Sequence, residues 1–242
     1  MVRKRKRRRL WKIKIRGVRR SLRSQKYIFW RKLYEKTYSY TFTRRFSYDK
    51  PFSKGTWTLT GQVCEDAVYA ALKSGYRLID TAKYYGNESE VGKAVARAIS
   101  DGICKREEIF ITSKLVPWSS NPDADIEDSL RQLGLTYIDL CLLHQHGSSS
   151  GDDAVYKAMI RAAKDGKIRS IGISNFYTEK TVSHFINDFE IPPAVIQNEN
   201  HLKYQNNSLR DWAAKKRNLH RKLLSFRRSR SHSRASEKSA GS

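Results

Sequence analysis

Five short runs rich in β-branched and aliphatic residues, "YRLID", "EIFITSK", "YIDLCLLH", "IRSIGISN" and "AVIQN", recur between Tyr76 and Asn198. They are nearly continuous rather than alternating, which is what strands covered on both faces require. Between and around them lie stretches with apolar residues at three and four spacing, over 63–73, 89–100, 124–133, 153–164, 179–188 and 208–215. A regular β-α-β-α order of this kind predicts a parallel α/β domain. Two helix starts carry capping signals: Asn87 with Glu90 behind it, and Asp123 with Glu127.

The runs end on polar residues: Asp80, Lys114, His144, Ser174 with Asn175, and Gln197 with Asn198. In a parallel sheet every C-terminal strand end lies on one edge, so these groups converge where a (β/α) barrel or a doubly wound sheet builds its site. A lone strand-end Asp or His has a structural reading as a cap or a satisfied polar group. Five successive strands ending this way point to a site.

Charge divides the chain of 242 residues, whose formal net charge is +24. Residues 1–54 hold 21 Lys and Arg against Glu35 and Asp49, and residues 215–242 hold 10 against Glu237, so 55–214 is slightly acidic, at −4. The basic character belongs to the two ends. Cys64, Cys104 and Cys141 are far apart and lack C-x-x-C spacing, which suggests neither a disulfide framework nor a thiolate metal site and fits a reducing compartment. No apolar run approaches the roughly 20 residues of a membrane helix. The expectation is a soluble cytoplasmic protein with no membrane association.

"GTWTLTG", "GYRLIDTAKYYGNESEVG", "REEIFITSKL", "IEDSLRQLGLTYIDLCLLH", "GKIRSIGISNF" and the Gln197 to Glu199 stretch after "PPAVI" resemble the aldo-keto reductase family over 55–214. The resemblance implies a (β/α)8 barrel of TIM type, an NADPH cofactor with NADH as the alternative, and a small-molecule aldehyde or ketone substrate reduced to an alcohol. It also implies a catalytic set. Asp80 would pair with Lys114, Lys114 would sit beside the Tyr85 hydroxyl and favour the phenolate, making Tyr85 the proton donor, and His144 would polarise the substrate carbonyl. Ser174, Asn175 and Gln197 would hydrogen-bond the nicotinamide carboxamide. No metal is implied, because "HQH" offers His144 and His146 without a third ligand.

Some residues depart from the family pattern: His146 stands where Pro is usual, and Ile196 replaces the Asn that commonly precedes Gln197. "KPFSKGTW" lacks a hydrophobic strand before G-T-W. After residue 214 the last two β/α units are not recognisable, so the expectation is an incomplete barrel of about six units with irregular basic ends and weak or lost turnover. Permitted codons for 217–228, read one nucleotide later, spell G-I-Y-I-E-S-C-Y-P-F-G-G, similar to the family's seventh strand. The tail is therefore read as out of frame, and the coding DNA tests this directly.

The 1–54 extension reads as an acquired arm, with a localisation or nucleic-acid-binding segment and a transit peptide as the other readings. Both ends would bind polyanions nonspecifically and in a salt-sensitive way, and a nonenzymatic nucleic-acid-binding protein is the alternative function. The sequence points to no specific protein partner.

Overall fold

A computed structural model describes residues 53–199, 204–215 and 223–226. Seven strands, β1 (Ser53–Gly55), β2 (Leu78–Asp80), β3 (Phe110–Leu115), β4 (Leu140–Leu143), β5 (Ile171–Ser174), β6 (Val195–Glu199) and β7 (Leu223–Phe226), form one all-parallel sheet in sequence order. The helices are α1 (Gly61–Lys73), α2 (Glu88–Ser100), α3 (Pro122–Leu133), α4 (Ser149–Lys164), α5 (Glu179–Asn187) and α6 (Asn207–Lys215). Each crossover from one strand to the next from β2 to β7 includes one of these helices, as parallel pairing demands. Short 3-10 turns at Lys83–Tyr85 and Arg106–Glu108 complete the described elements.

Register fixes which side chains face inward. Phe110, Leu140, Leu142 and Val195 form one buried cluster, with Leu78 packed against it. Ile79, Ile111, Cys141, Leu143, Ile171, Ile173 and Ile196, the intervening residues, belong to a second cluster with Val68, Leu72, Val91, Leu130, Met159 and Phe185 of the helices. The first cluster is the interior of a barrel wall and the second the layer between wall and helices. Both faces are dry, so the strand runs are continuously apolar.

The wall is curled. Gln197 on β6 donates from Nε2 to Asp80 Oδ2 on β2 at 2.9 Å, although four strand spacings separate β2 from β6 in the sheet order. In a flat sheet those strands would lie roughly 19 Å apart. The fold is thus an incomplete (β/α)8 barrel: among the described residues β1 and β7 are the sheet's two ends and do not pair with each other.

Two strands lie in segments that the sequence reads as irregular. Ser53–Gly55 pairs with Leu78–Asp80 despite its polar composition, since parallel pairing uses backbone groups. Leu223–Phe226 pairs with Ile196–Glu199. Residues 1–52, most of the tail, and the polyanion-binding reading that rests on them lie outside the described residues.

The helix starts differ in detail from expectation. Asn121, not Asp123, caps α3, accepting a hydrogen bond from the Ala124 amide, and Pro122 occupies the first turn. Asp123 instead pairs with Arg161 of α4. Asn87 holds the N-cap position of α2, but its side chain makes no capping bond.

Gly92, inside α2, marks a close helix contact: a Cβ there would meet the Leu133 carbonyl oxygen of α3 at 2.6 Å. Helix propensity alone would favour Ala by about 1 kcal/mol. Because the obstacle is backbone, Gly92→Ala is expected to destabilise the protein by about 1–3 kcal/mol. Chemical denaturation of the two proteins gives the sign.

Candidate active site

The inward parity of Leu78, Phe110, Leu142 and Val195 carries forward along each strand to Asp80, Lys114, His144 and Gln197 at the C-terminal rim. Ser174 ends β5 on the same rim. The chain therefore gathers there the groups that its strand endings single out.

Lys114 is the centre. Its side chain is 2 % exposed, and its Nζ donates to Asp80 Oδ1 at 2.5 Å, to the Thr81 carbonyl at 2.9 Å and to the Tyr85 hydroxyl at 3.2 Å. Three donors thus meet three acceptors, so the buried ammonium is satisfied. Burial works against the charged form, but Asp80 and Tyr85 outweigh it and hold Lys114 above the usual lysine range. The second Asp80 oxygen accepts from Gln197, and the Asp80 carbonyl accepts from both the amide and the hydroxyl of Thr56.

Tyr85 lies on the 3-10 turn that begins three residues after β2, closed by Gly86 in the left-handed region. Asn87 fixes this turn. Its Oδ1 accepts from the Thr81 hydroxyl at 2.7 Å, and its Nδ2 donates to the carbonyls of Thr56 at 2.9 Å and Leu59 at 2.8 Å. The residue that sequence reads as a cap is a cross-link between the β1 and β2 loops.

His144 packs its ring edgewise near Tyr85, with centroids 5.5 Å apart, and near Tyr84 at 6.1 Å. Burial, aided by the Lys114 charge, lowers its pKa from 6.5 to about 4. The imidazole is therefore neutral at physiological pH, with one nitrogen carrying a hydrogen to donate.

Asn175 follows Ser174 with φ of 59°, in the left-handed region that Asn tolerates better than most residues. Its Nδ2 donates to the His144 carbonyl at 2.9 Å and to Ser174 Oγ at 3.2 Å, while its Oδ1 accepts from the Tyr177 hydroxyl at 2.9 Å. Asn198 works beside the site: it accepts from the Phe176 amide and donates to the Phe176 carbonyl, tying the loop after β5 to β6.

Three exposed aromatic rings that strand-end reasoning passes over frame the mouth. Trp57 lies 4.8 Å from Tyr85, and Tyr84 lies 6.3 Å from Trp57 and 6.2 Å from Trp118. Their signal in the sequence is large aromatics in loops beside polar strand ends.

His146 does not join His144. Its Nδ1 pairs with Asp152 at 2.5 Å, and its ring lies beside Phe176. Among the described residues no cluster of three or more His, Cys, Asp or Glu could hold a metal ion, and no helix is long and apolar enough to cross a membrane.

The Aldo/keto reductase family profile matches residues 51–220. The chain belongs to the aldo/keto reductase family. It is 37 % identical over 191 residues to the NAD(P)H-dependent D-xylose reductase I,II of Candida tropicalis, covering 66 % of this chain and 58 % of that protein. It is 38 % identical over 181 residues to aldo-keto reductase family 4 member C11 of Arabidopsis thaliana, covering 67 % and 56 %.

Among solved structures, an aldo-keto reductase enzyme from a Medee basin deep-sea metagenome library superposes with a TM-score of 0.63 at 39 % identity, covering 72 % of this chain and 62 % of that one. A Bombyx mori aldo-keto reductase in complex with NADP superposes with a TM-score of 0.55 at 33 % identity, covering 61 % and 53 %. The chain spans less than two-thirds of the length of these relatives.

Two outcomes test the electrostatics. Lys114→Met strands the Asp80 carboxylate and is expected to cost about 3–5 kcal/mol of stability, with Asp80→Asn/Lys114→Met recovering part of it. Denaturant midpoints measure both. For His144, the folded protein resists protonation down to about pH 4, while the unfolded chain takes up its proton near the ordinary value of 6.5. The unfolded state binds more protons in that window, so this group's contribution to stability falls on acidification from pH 7 toward 4. Parallel melts at pH 7 and pH 5 are expected to show a smaller loss for His144→Gln than for the parent.

Proposed function

We propose that this chain carries the residues of an NADPH-dependent carbonyl reductase that converts an aldehyde or ketone into an alcohol, with Tyr85 as proton donor. One observation supports this above others: a buried lysine that remains charged points a hydrogen bond at the Tyr85 oxygen from 3.2 Å away. A phenol in water lacks that partner. Here the ammonium stabilises the negative charge that appears on the oxygen as the proton leaves.

The remaining residues take complementary roles. His144, neutral and facing the same mouth, donates a hydrogen bond to the substrate carbonyl oxygen, which lowers the energy of charge developing there. Tyr85 passes its proton to that same oxygen. Asp80 keeps Lys114 oriented, and Gln197 orients Asp80 in turn. Trp57, Tyr84 and Trp118 wall the approach and reduce the access of water.

The rim also fits the reduced nicotinamide. The Ser174 hydroxyl, the remaining lone pair of Asn175 Oδ1, and the Oε1 and second Nε2 hydrogen of Gln197 offer a mixed donor and acceptor set suited to a carboxamide that is itself both. When bound, the cofactor supplies the hydride that the carbonyl carbon receives. The NADP bound to the Bombyx mori relative favours NADPH, and the name of the Candida tropicalis relative allows NADH as well. Its named substrate, D-xylose, makes a sugar aldehyde a reasonable first compound to assay. The cytoplasm is the compartment we assign.

The test is Tyr85→Phe. Steady-state NADPH oxidation with a carbonyl substrate is expected to fall by about 100-fold or more. Saturable quenching of intrinsic fluorescence by NADPH is expected to persist in the variant. Carbonyl reduction undiminished in Tyr85→Phe would overturn the assignment.

A further inference from the structure

The 3-10 turn that carries Tyr85 is three residues long, and its backbone gives it little purchase on the barrel: the Tyr85 amide bonds the Ala82 carbonyl and the Gly86 amide bonds the Lys83 carbonyl. Side chains must therefore set its position. Tyr84 and Tyr85 turn toward the mouth, against Trp57 and His144. Lys83 reaches the opposite way, to α3. Its ammonium bonds the Asp128 carboxylate and lies 3.6 Å from Asp125 Oδ1.

Both acceptors are themselves held. Asp125 Oδ2 accepts from the Ser119 hydroxyl at 2.5 Å, and Asp128 also pairs with Arg131. The Lys83 side chain is 24 % exposed and the two carboxylates are each 28 % exposed, so the pair is partly withdrawn from water. Screening is correspondingly weaker than at an open surface.

Helix α3 follows β3 in the chain and packs against it, and β3 carries Lys114. The Lys83 bridge thus refers the Tyr85 turn to the same strand–helix unit that presents the ammonium. That matters because the Lys114 to Tyr85 bond, at 3.2 Å, lies at the long end of the useful range. A displacement of the turn by half an ångström outward would break it.

We propose that Lys83 is a positioning residue whose bridge to Asp125 and Asp128 holds the Tyr85 hydroxyl within hydrogen-bond reach of Lys114. Its kinetic consequence rests on the reading of Tyr85 as proton donor; its structural consequence does not. Asn87 pins the turn from the side of the β1 loop and Lys83 from the side of α3, so two anchors on opposite flanks define the position of one hydroxyl.

The experiment places 3-fluorotyrosine at position 85 of the full chain and records fluorine NMR spectra. A single narrow resonance is expected for the parent and for Lys83→Arg. In Lys83→Met it is expected to shift and broaden, whereas 3-fluorotyrosine at position 69, remote from the turn, gives an unchanged signal in the same variant. Asp128→Asn, which leaves Lys83 in place but removes its bonded carboxylate, is expected to shift the position-85 signal in the same direction and serves if Lys83→Met does not fold. An unaltered position-85 resonance in either folded variant would overturn the proposal, as would an equal change at position 69. In turnover, Lys83→Met is expected to lower kcat by about 10- to 100-fold with KM little changed. If the parent does not reduce carbonyls, the reaction assignment fails, while the fluorine spectra still decide the role of Lys83.

Discussion

A lysine that is 2 % exposed and charged is costly to build, and much of the barrel rim is arranged around it. Removing an ammonium from water carries a penalty of several kcal/mol, which a single carboxylate rarely offsets by itself. Lys114 has the Asp80 carboxylate, a backbone carbonyl and a phenol, and Asp80 has Gln197 on its other oxygen. These partners come from β2, the turn after it and β6, around a lysine on β3. A slip of one residue in β3 would turn Lys114 toward the helix layer, among Ile79 and Ile111. The register of the wall and the satisfaction of one ammonium are therefore the same requirement.

Much of this was legible in the residues themselves. Continuous apolar runs announce strands covered on both sides, and helical spacing announces the layer outside them. The inward set Asp80, Lys114 and Gln197 follows from where the runs end. What escapes a linear reading is the use of polar side chains over long distances. Asn87 has the position and chemistry of a helix cap, yet its carboxamide is spent on Thr81, Thr56 and Leu59, the latter two 31 and 28 residues away. Asp123 resembles a cap, but Asn121 precedes Pro122 and so reaches the free amide first. Strand β7 was hidden because "LLSF" sits among arginines, and composition averages over a strand of four residues.

The loop after β4 shows how side chains hold a strand end in place. His146 follows His144 by two residues, and a loose loop there would free the strand end that carries His144. Asp152, 2 % exposed, restores order: one oxygen binds His146 and the other accepts from the Gly147 amide. Gly151 and Gly147 lie so close to Pro117 that a Cβ at either would meet it within 2.7 Å. A carboxylate thus grips two points of the loop, and a proline packs beneath it.

The bond between Gln197 and Asp80 joins residues 117 positions apart, whereas every strand pairs with its neighbour in the chain. Strand-by-strand growth of the wall closes a crossover of about 23–32 residues at each step, far shorter than the span of this bond and so less costly in loop entropy. The contact across the barrel mouth cannot form until β6 has been laid down and the wall has bent. Asp80 therefore waits through the addition of four strands for its second partner.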